Sequence, residues 1–390
     1  SGRPPGSSWE CVRGQEGDNW QPVVGFTGGP KSTRNVCGDP KDNWVGQDFA
    51  NRTVMTTVQE QPQSRTFRKG LEFLEKNHGK DNWFLQIETF DPHEPFFSQP
   101  EYRELFPDEY RGPFCDWPDY RPVDETDSPE FIEHMRRQYA SVLKMCDENL
   151  GKVLDAMDQY GLWEDTMLIV NTDHGFLLAE HGQWAKCHCP FYAEVAHTPL
   201  FVWDPRSGKK GVRTDRLVQT IDLPATLLEY FCQPLPADME GRSIRPVLEK
   251  DEPVRDGALF GIFGGQVCCN DGEWVYMRSP LPGNQPRHEY TLMPTRHGGR
   301  RAFIDNEVLR TMRLHNPFSF TKGIPVMELD STNDISQAHY PSMLFCLKED
   351  PMELKPVENA AAEQRMKELM VKMMRENDCP EEQFERMGLR

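Results

Sequence analysis

The 390-residue sequence contains no apolar run long enough to cross a membrane, no Cys-x-x-Cys pair, no internal repeat and no low-complexity tract. The missing run argues against a spanning helix, which needs about twenty consecutive apolar residues. The opening Ser1-Gly2-Arg3-Pro4-Pro5-Gly6 lacks the apolar core of a signal peptide. Basic residues are outnumbered, 44 Lys and Arg against 62 Asp and Glu, for a net charge of −18. That balance disfavours binding to nucleic-acid backbones and to anionic membranes. The 11 cysteines, an odd count without paired spacing, read as reduced thiols and favour a cytosolic, cytoplasmic setting. Cys187-His188-Cys189, with His181 upstream, supplies one cluster. Structural zinc draws on two separated ligand pairs, so zinc is not expected there. An aromatic content of 11% and clear amphipathic segments argue for a packed globule over disorder.

What the chain does contain is an alternation of helix and strand signals. Residues 1–62 are rich in Gly, Pro, Asn and Asp, an irregular start that looks like the inside of a fold whose first strands are absent. Within it, Arg13–Asp18 reads as a polar loop and Asn51-Arg52-Thr53 as a chance glycosylation triplet. A helix is expected from about Ser64, with Phe67, Leu71, Leu74 and His78 on one face and Gly79 as its stop. Trp83–Ile87 reads as a buried strand, and Pro92 and Pro95 bracket His93 just beyond it, restricting the loop to extended or turn geometry. The aromatic, acidic segment 97–127 either shapes a substrate pocket or covers the fold with its own aromatics.

Pro129–Tyr160 is the clearest helix: Ser128 caps it, Gly161 ends it, and an apolar stripe from Phe131 to Tyr160 marks core packing. Met167–Val170 and Pro199–Trp203 read as buried strands, with a helix over Asp222–Phe231 and a close at Gly241-Arg242-Ser243. From about residue 251 the chain changes character. Short strands at Ala258–Phe263 and Trp274–Met277 flank the turn Asn270-Asp271-Gly272, and a helix near Ala360–Glu376 carries Ala362, Met366, Leu369 and Met373 on one side. The pattern predicts an α/β domain with a mostly parallel sheet over 1–250, and a small subdomain of antiparallel strands and a terminal helix over 251–390.

The chemistry concentrates after Val170. Asp173 and His174 stand side by side past the expected strand, where ligands bind in open α/β sheets. Together they offer an oxygen and an imidazole nitrogen to one divalent cation. His181 and Lys186 follow within a short loop. A metal beside basic groups suits an oxyanion ester, since the ion lowers charge on the ester oxygens. Lys186 and His93 are candidates to neutralise the remaining oxygens and to protonate a departing alkoxide. The plain alternatives are a surface loop histidine at position 93 and a solvated lysine at 186.

These motifs resemble the sulfatase family of the alkaline-phosphatase-like superfamily. The resemblance rests on Thr172-Asp173-His174-Gly175 followed by Glu180-His181-Gly182-Gln183-Trp184-Ala185-Lys186, and on Asp91-Pro92-His93-Glu94-Pro95-Phe96. Thr220–Leu227 leading to Gly241-Arg242-Ser243, and Leu347–Glu353, extend it over most of the chain. It implies an α/β/α sandwich, N-terminally incomplete, in which Asp173 and His174 ligate the active-site metal. That metal is usually calcium in sulfatases and often manganese in related phosphonate and phosphate ester hydrolases. His93 and Lys186 match the sulfate-contacting and leaving-group residues, and His181 lies near enough to support them. The implied ligand is a small-molecule or carbohydrate sulfate ester.

The sequence also departs from that family. Its formylglycine nucleophile arises from Cys- or Ser-x-Pro-x-Arg, which does not occur in these 390 residues; Cys232-Gln233-Pro234 and Ser98-Gln99-Pro100 both lack the arginine. The expectation is that nucleophile and paired metal-binding aspartates lie on an N-terminal segment supplied by the same gene or by another chain, leaving this chain inactive alone. Two other readings stay open: a phosphodiester or phosphonate monoester hydrolase on the same scaffold, and a non-catalytic chain that binds an anionic ligand.

Overall fold

The structure is a computed structural model that describes residues 8–30, 33–34, 44–293, 304, 306–331 and 335–390, so the opening hexapeptide lies outside the described residues. Packing divides the chain into two compact units, Ser1–Thr166 with Leu178–Ala185, and Met167–Leu177 with Lys186–Arg390.

The first unit is built on helices. Pro129–Tyr160 forms as its signals predict: Ser128 Oγ accepts the Phe131 N–H at 3.3 Å, and Gly161 takes a left-handed φ of 66° that a side chain would resist. Phe131, Met135, Val142, Met145, Val153 and Met157 are buried along it. Pro62–Asn77 packs against this helix, and between them the Asn149 amide donates to Gln63 Oε1 at 2.8 Å and Ser64 Oγ at 3.3 Å. At their far ends His78 stacks on Tyr160, rings 4.2 Å apart.

The irregular N-terminal stretch contains a helix that its composition hid, Trp44–Arg52. Its organising group is Arg52, which binds Asp48 and Asp116 at 2.6 Å each and lies over the Phe49 and Phe97 rings. Asn51 is fully buried and donates to the carbonyls of Glu16 and Asp18, so the triplet it opens presents no accessible amide. Segment 97–127 packs as a cover: Trp117 is buried edge-on against Trp44, 5.4 Å between centroids.

The expected strand Trp83–Ile87 is corrected. Residues 83–90 alternate between half-buried and exposed as a strand would, yet they join no ladder among the described residues. Side-chain alternation requires only extended geometry; a strand also requires a neighbouring backbone to bond with.

The second unit is a set of antiparallel sheets. Leu168–Asn171 pairs antiparallel with Leu200–Trp203, with Val170 opposite Phe201. The mostly parallel sheet expected from the helix–strand alternation is therefore not formed by this pair. A four-stranded sheet runs in the order Met343–Cys346, Trp274–Arg278, Val267–Asn270, Ala258–Gly261, with antiparallel neighbours. The predicted turn closes its central hairpin: Gly272 has φ 90°, and Asp271 Oδ1 accepts the Trp274 N–H at 2.7 Å. The helix Ala360–Glu376 covers one face through Ala362, Met366, Met370 and Met374. The other face, with Cys268, Val275, Met277 and Phe345, shares a core with Leu177, Cys189, Tyr192 and Val195. A third sheet joins His288–Thr291, Val326–Asp330 and Arg313–His315. None of the ten described cysteines is joined in a disulfide, and no described helix is long and apolar enough to cross a membrane.

Candidate active site

In the second unit the chain leaves the strand at Asn171 and turns at once. Asp173 Oδ1 accepts the His174 N–H at 2.8 Å and the Thr172 hydroxyl at 3.3 Å. Burial alone would raise the Asp173 carboxyl, but the His174 N–H and the nearby imidazole outweigh it and hold it below its ordinary value. His174 Nδ1 lies 3.0 Å from the Gly175 carbonyl, which places the proton on that nitrogen. Nε2 then faces Asp173 Oδ2 at 3.5 Å. Gly175 is required here by close approach: a Cβ would sit 1.8 Å from the Glu194 carbonyl oxygen, and the Gly175 N–H donates to Val195 O at 2.9 Å.

Lys186 belongs to the same unit. It is buried, unlike a solvated lysine, and its Nζ lies 5.7 Å from the Phe176 ring centroid. The backbone around it is unusual: Ala179, His181, Ala185 and Cys187 all have positive φ, between 53° and 77°. Left-handed non-glycine residues are uncommon, and clusters of them mark segments whose surroundings force a particular shape.

In the first unit the loop before Lys186 is pinned from several sides. Arg136 donates to Leu178 O at 3.0 Å and to Glu180 Oε1 at 3.0 Å, and Ala179 N–H donates to Gln183 O at 3.0 Å. Trp184 is buried, with its indole N–H on Asp127 Oδ2. His181 sits at the apex of this loop in the left-handed region.

His93 lies in the first unit too, in a loop with cis bonds at Asp91–Pro92 and Glu94–Pro95. Its Nδ1 faces three acceptors: Glu94 O at 2.6 Å, Glu16 Oε1 at 3.0 Å and Glu94 Oε2 at 3.3 Å. Tyr120 donates its hydroxyl to Glu94 Oε1. Neighbouring Asp91 accepts from Gln15 Nε2 at 3.0 Å; burial pushes its carboxyl up to about 7, against the pull of Gln15 and His93. Gln15, Glu16, Asp48 and Asp91 line a cavity of about 10 Å³ beside this loop. Sequence reading found His93 within its Asp91–Phe96 motif and missed Glu16; nothing local in the polar run 13–18 signals contact with a loop so far along the chain.

Asp173, His174 and Lys186 thus fall in one unit, and His93 and His181 in the other. The Asp173–His174 pair fits a hard divalent cation in type. One carboxylate oxygen and one imidazole nitrogen face each other at 3.5 Å, near the separation of adjacent ligands held roughly 2.1–2.4 Å from a shared ion. They supply two donors only; the described residues contain no group of three His, Cys, Asp or Glu able to hold a metal.

A family model for sulfatases matches residues 19–233, more than half of the chain. The chain belongs to the sulfatase family. Among curated relatives, an N-acetylglucosamine-6-O-sulfatase of Bacteroides thetaiotaomicron is 31% identical over 31% of this chain and 21% of its own length. The multifunctional alkaline phosphatase superfamily protein PehA of Trinickia caryophylli is 24% identical over 57% of this chain and 46% of its own. An arylsulfatase of Clostridium perfringens is 24% identical over 48% and 42%. The chain therefore spans less than half the length of these relatives. Among solved structures, BT4656, determined with its substrate D-glucosamine-2-N,6-O-disulfate, superposes with a TM-score of 0.56 at 15% identity, over 82% of this chain and 70% of that one. A phosphonate monoester hydrolase from Silicibacter pomeroyi gives 0.54 at 18%, over 83% and 61%. These likenesses establish an alkaline-phosphatase-like mixed α/β fold.

Proposed function

We propose that the protein is a sulfuric ester hydrolase, cleaving an organic sulfate ester to an alcohol and sulfate. The observation that carries this reading is the Asp173–His174 pair just past a strand end, with a buried lysine, Lys186, in the same unit. Asp173 and His174 would hold a divalent metal, calcium by preference, which lowers charge on the ester oxygens when bound. Lys186 and His93 are assigned to the sulfate oxygens and to the departing alkoxide, His93 being the better proton donor near neutral pH. His181 is assigned a supporting role. The scaffold is assigned as an α/β/α sandwich over 1–250, followed by the 251–390 subdomain. The nucleophile, a formylglycine, is assigned to sequence outside these 390 residues. Sulfated carbohydrates are the favoured substrate class, because relatives named above act on sulfated glucosamines.

A phosphonate or phosphate ester reading, with manganese, draws support from the likeness to PehA and changes neither the metal ligands nor the basic residues. Hydrolysis of 4-nitrophenyl sulfate against bis(4-nitrophenyl) phosphate, compared between this chain alone and a form extended upstream, tests the proposal. The extended form is expected to turn over the sulfate faster and the chain alone to turn over neither. Faster phosphate turnover selects the second reading, and no turnover by any extended form selects a binding chain.

A further inference from the structure

The loop 13–18 is shaped without help from His93. Arg13 clamps Asp18 through Nε at 2.8 Å and NH2 at 2.6 Å, Asp18 Oδ2 accepts the Gly14 N–H at 3.0 Å, and buried Asn51 donates to Glu16 O at 3.1 Å. Within that frame Glu16 has φ 49°, a left-handed backbone that side-chain-bearing residues adopt rarely. The consequence is a carboxylate turned inward, its side chain 15% exposed, with Oε1 3.0 Å from His93 Nδ1. Gln15 is turned onto Asp91 by the same loop, so two consecutive side chains grip the turn that carries His93.

The nitrogen Glu16 meets lies 2.6 Å from the Glu94 carbonyl, which can only accept, and also faces the carboxylate oxygens Glu94 Oε2 and Glu16 Oε1. An imidazole nitrogen among acceptors carries the proton, and the opposite nitrogen becomes the one through which the ring acts. We propose that Glu16 is a positioning residue for His93, fixing the ring by Nδ1 so that Nε2 is presented to the substrate oxygens. This rests on the assignment of His93 to the ester. The arrangement parallels the general rule that a working histidine is oriented by an acceptor on its other nitrogen.

The test uses the full chain labelled with ¹⁵N-histidine, with Glu16→Gln and His93→Ala variants. Among the described residues, Glu16, Glu94 and the Phe90 ring at 4.5 Å face the imidazole, and the neighbouring Asp91 couples to it electrostatically. In the parent chain the neutral His93 ring is expected as the Nδ1–H tautomer. In Glu16→Gln, which keeps the shape and removes the charge, the titration midpoint of His93 is expected to fall by roughly one pH unit. In a form of the protein that hydrolyses 4-nitrophenyl sulfate, the same variant is expected to lower kcat by about tenfold or more, with KM little changed. An Nε2–H tautomer, an unmoved midpoint or an unchanged kcat overturns the proposal for Glu16. Normal turnover in His93→Ala instead overturns the assignment of His93, and the spectra distinguish the two failures.

Discussion

The indole N–H of Trp184 donates to Oδ2 of Asp127 at 3.1 Å, with both side chains buried. Asp127 is also held by Arg121 through two bonds of 2.7 and 2.9 Å, by Arg34 at 2.8 Å and by the Asp124 N–H at 3.1 Å. Within the first unit this carboxylate therefore anchors the end of the loop Leu178–Ala185. Replacing Trp184 with Phe removes one donor from a buried acceptor and is expected to cost about 1–3 kcal/mol in urea unfolding. An unchanged midpoint would show that the bond does not anchor the loop.

Asp127 also sets an acid limit. Burial alone would raise its carboxyl, but Arg121, the Asp124 N–H and Trp184 outweigh that and hold it far below the ordinary value of 3.8. A depressed folded value contributes stability that is present above the unfolded value and lost as pH falls toward the folded one. The parent protein should therefore lose stability below about pH 4 more steeply than Asp127→Asn, which starts from a lower level. Parallel acid profiles for the two proteins would contradict this.

Asp91 has the opposite sign. Its carboxyl is pushed up to about 7, chiefly by burial. Its contribution is full below the unfolded value near 3.8 and declines as pH rises through about 7. Urea midpoints measured from pH 4 to pH 8 should fall more in the parent than in Asp91→Asn. A fall of equal size in both would place the titrating group elsewhere.

The site assignments separate by what each variant loses. Lys186→Ala and His93→Ala are each expected to reduce turnover of the extended protein by at least about a hundredfold with circular dichroism preserved. Near-normal rates in either remove that residue from the reaction. Asp173→Ala is expected to lose bound divalent metal by elemental analysis, and full occupancy would strike it from the ligands.

Gly175 is predicted to tolerate no side chain. With a Cβ 1.8 Å from the Glu194 carbonyl, Gly175→Ala must displace backbone, at a cost of about 1–3 kcal/mol by the usual penalty for overpacking. Thermal unfolding of the variant at the parent's midpoint would refute the close approach.

What the sequence determined by itself is local. Ser128, Gly161 and the apolar stripe between them define the helix Pro129–Tyr160, because capping and a 3.6-residue period act within a few turns. Asp173, His174 and Lys186 were singled out for the same reason, falling in one short stretch after an apolar run. The helix Trp44–Arg52 escaped, because its stability comes from Arg52 meeting Asp116, a partner on a distant loop. Tertiary structure decided the rest. It paired Leu168–Asn171 antiparallel with Leu200–Trp203, and it left residues 83–90 outside any ladder among the described residues. It also aimed Glu16 at His93. An alternating pattern determines which side chains face inward, but not which backbone lies alongside. A polar loop likewise does not encode which distant imidazole its carboxylate will meet, since both depend on contacts made only when the chain has closed on itself.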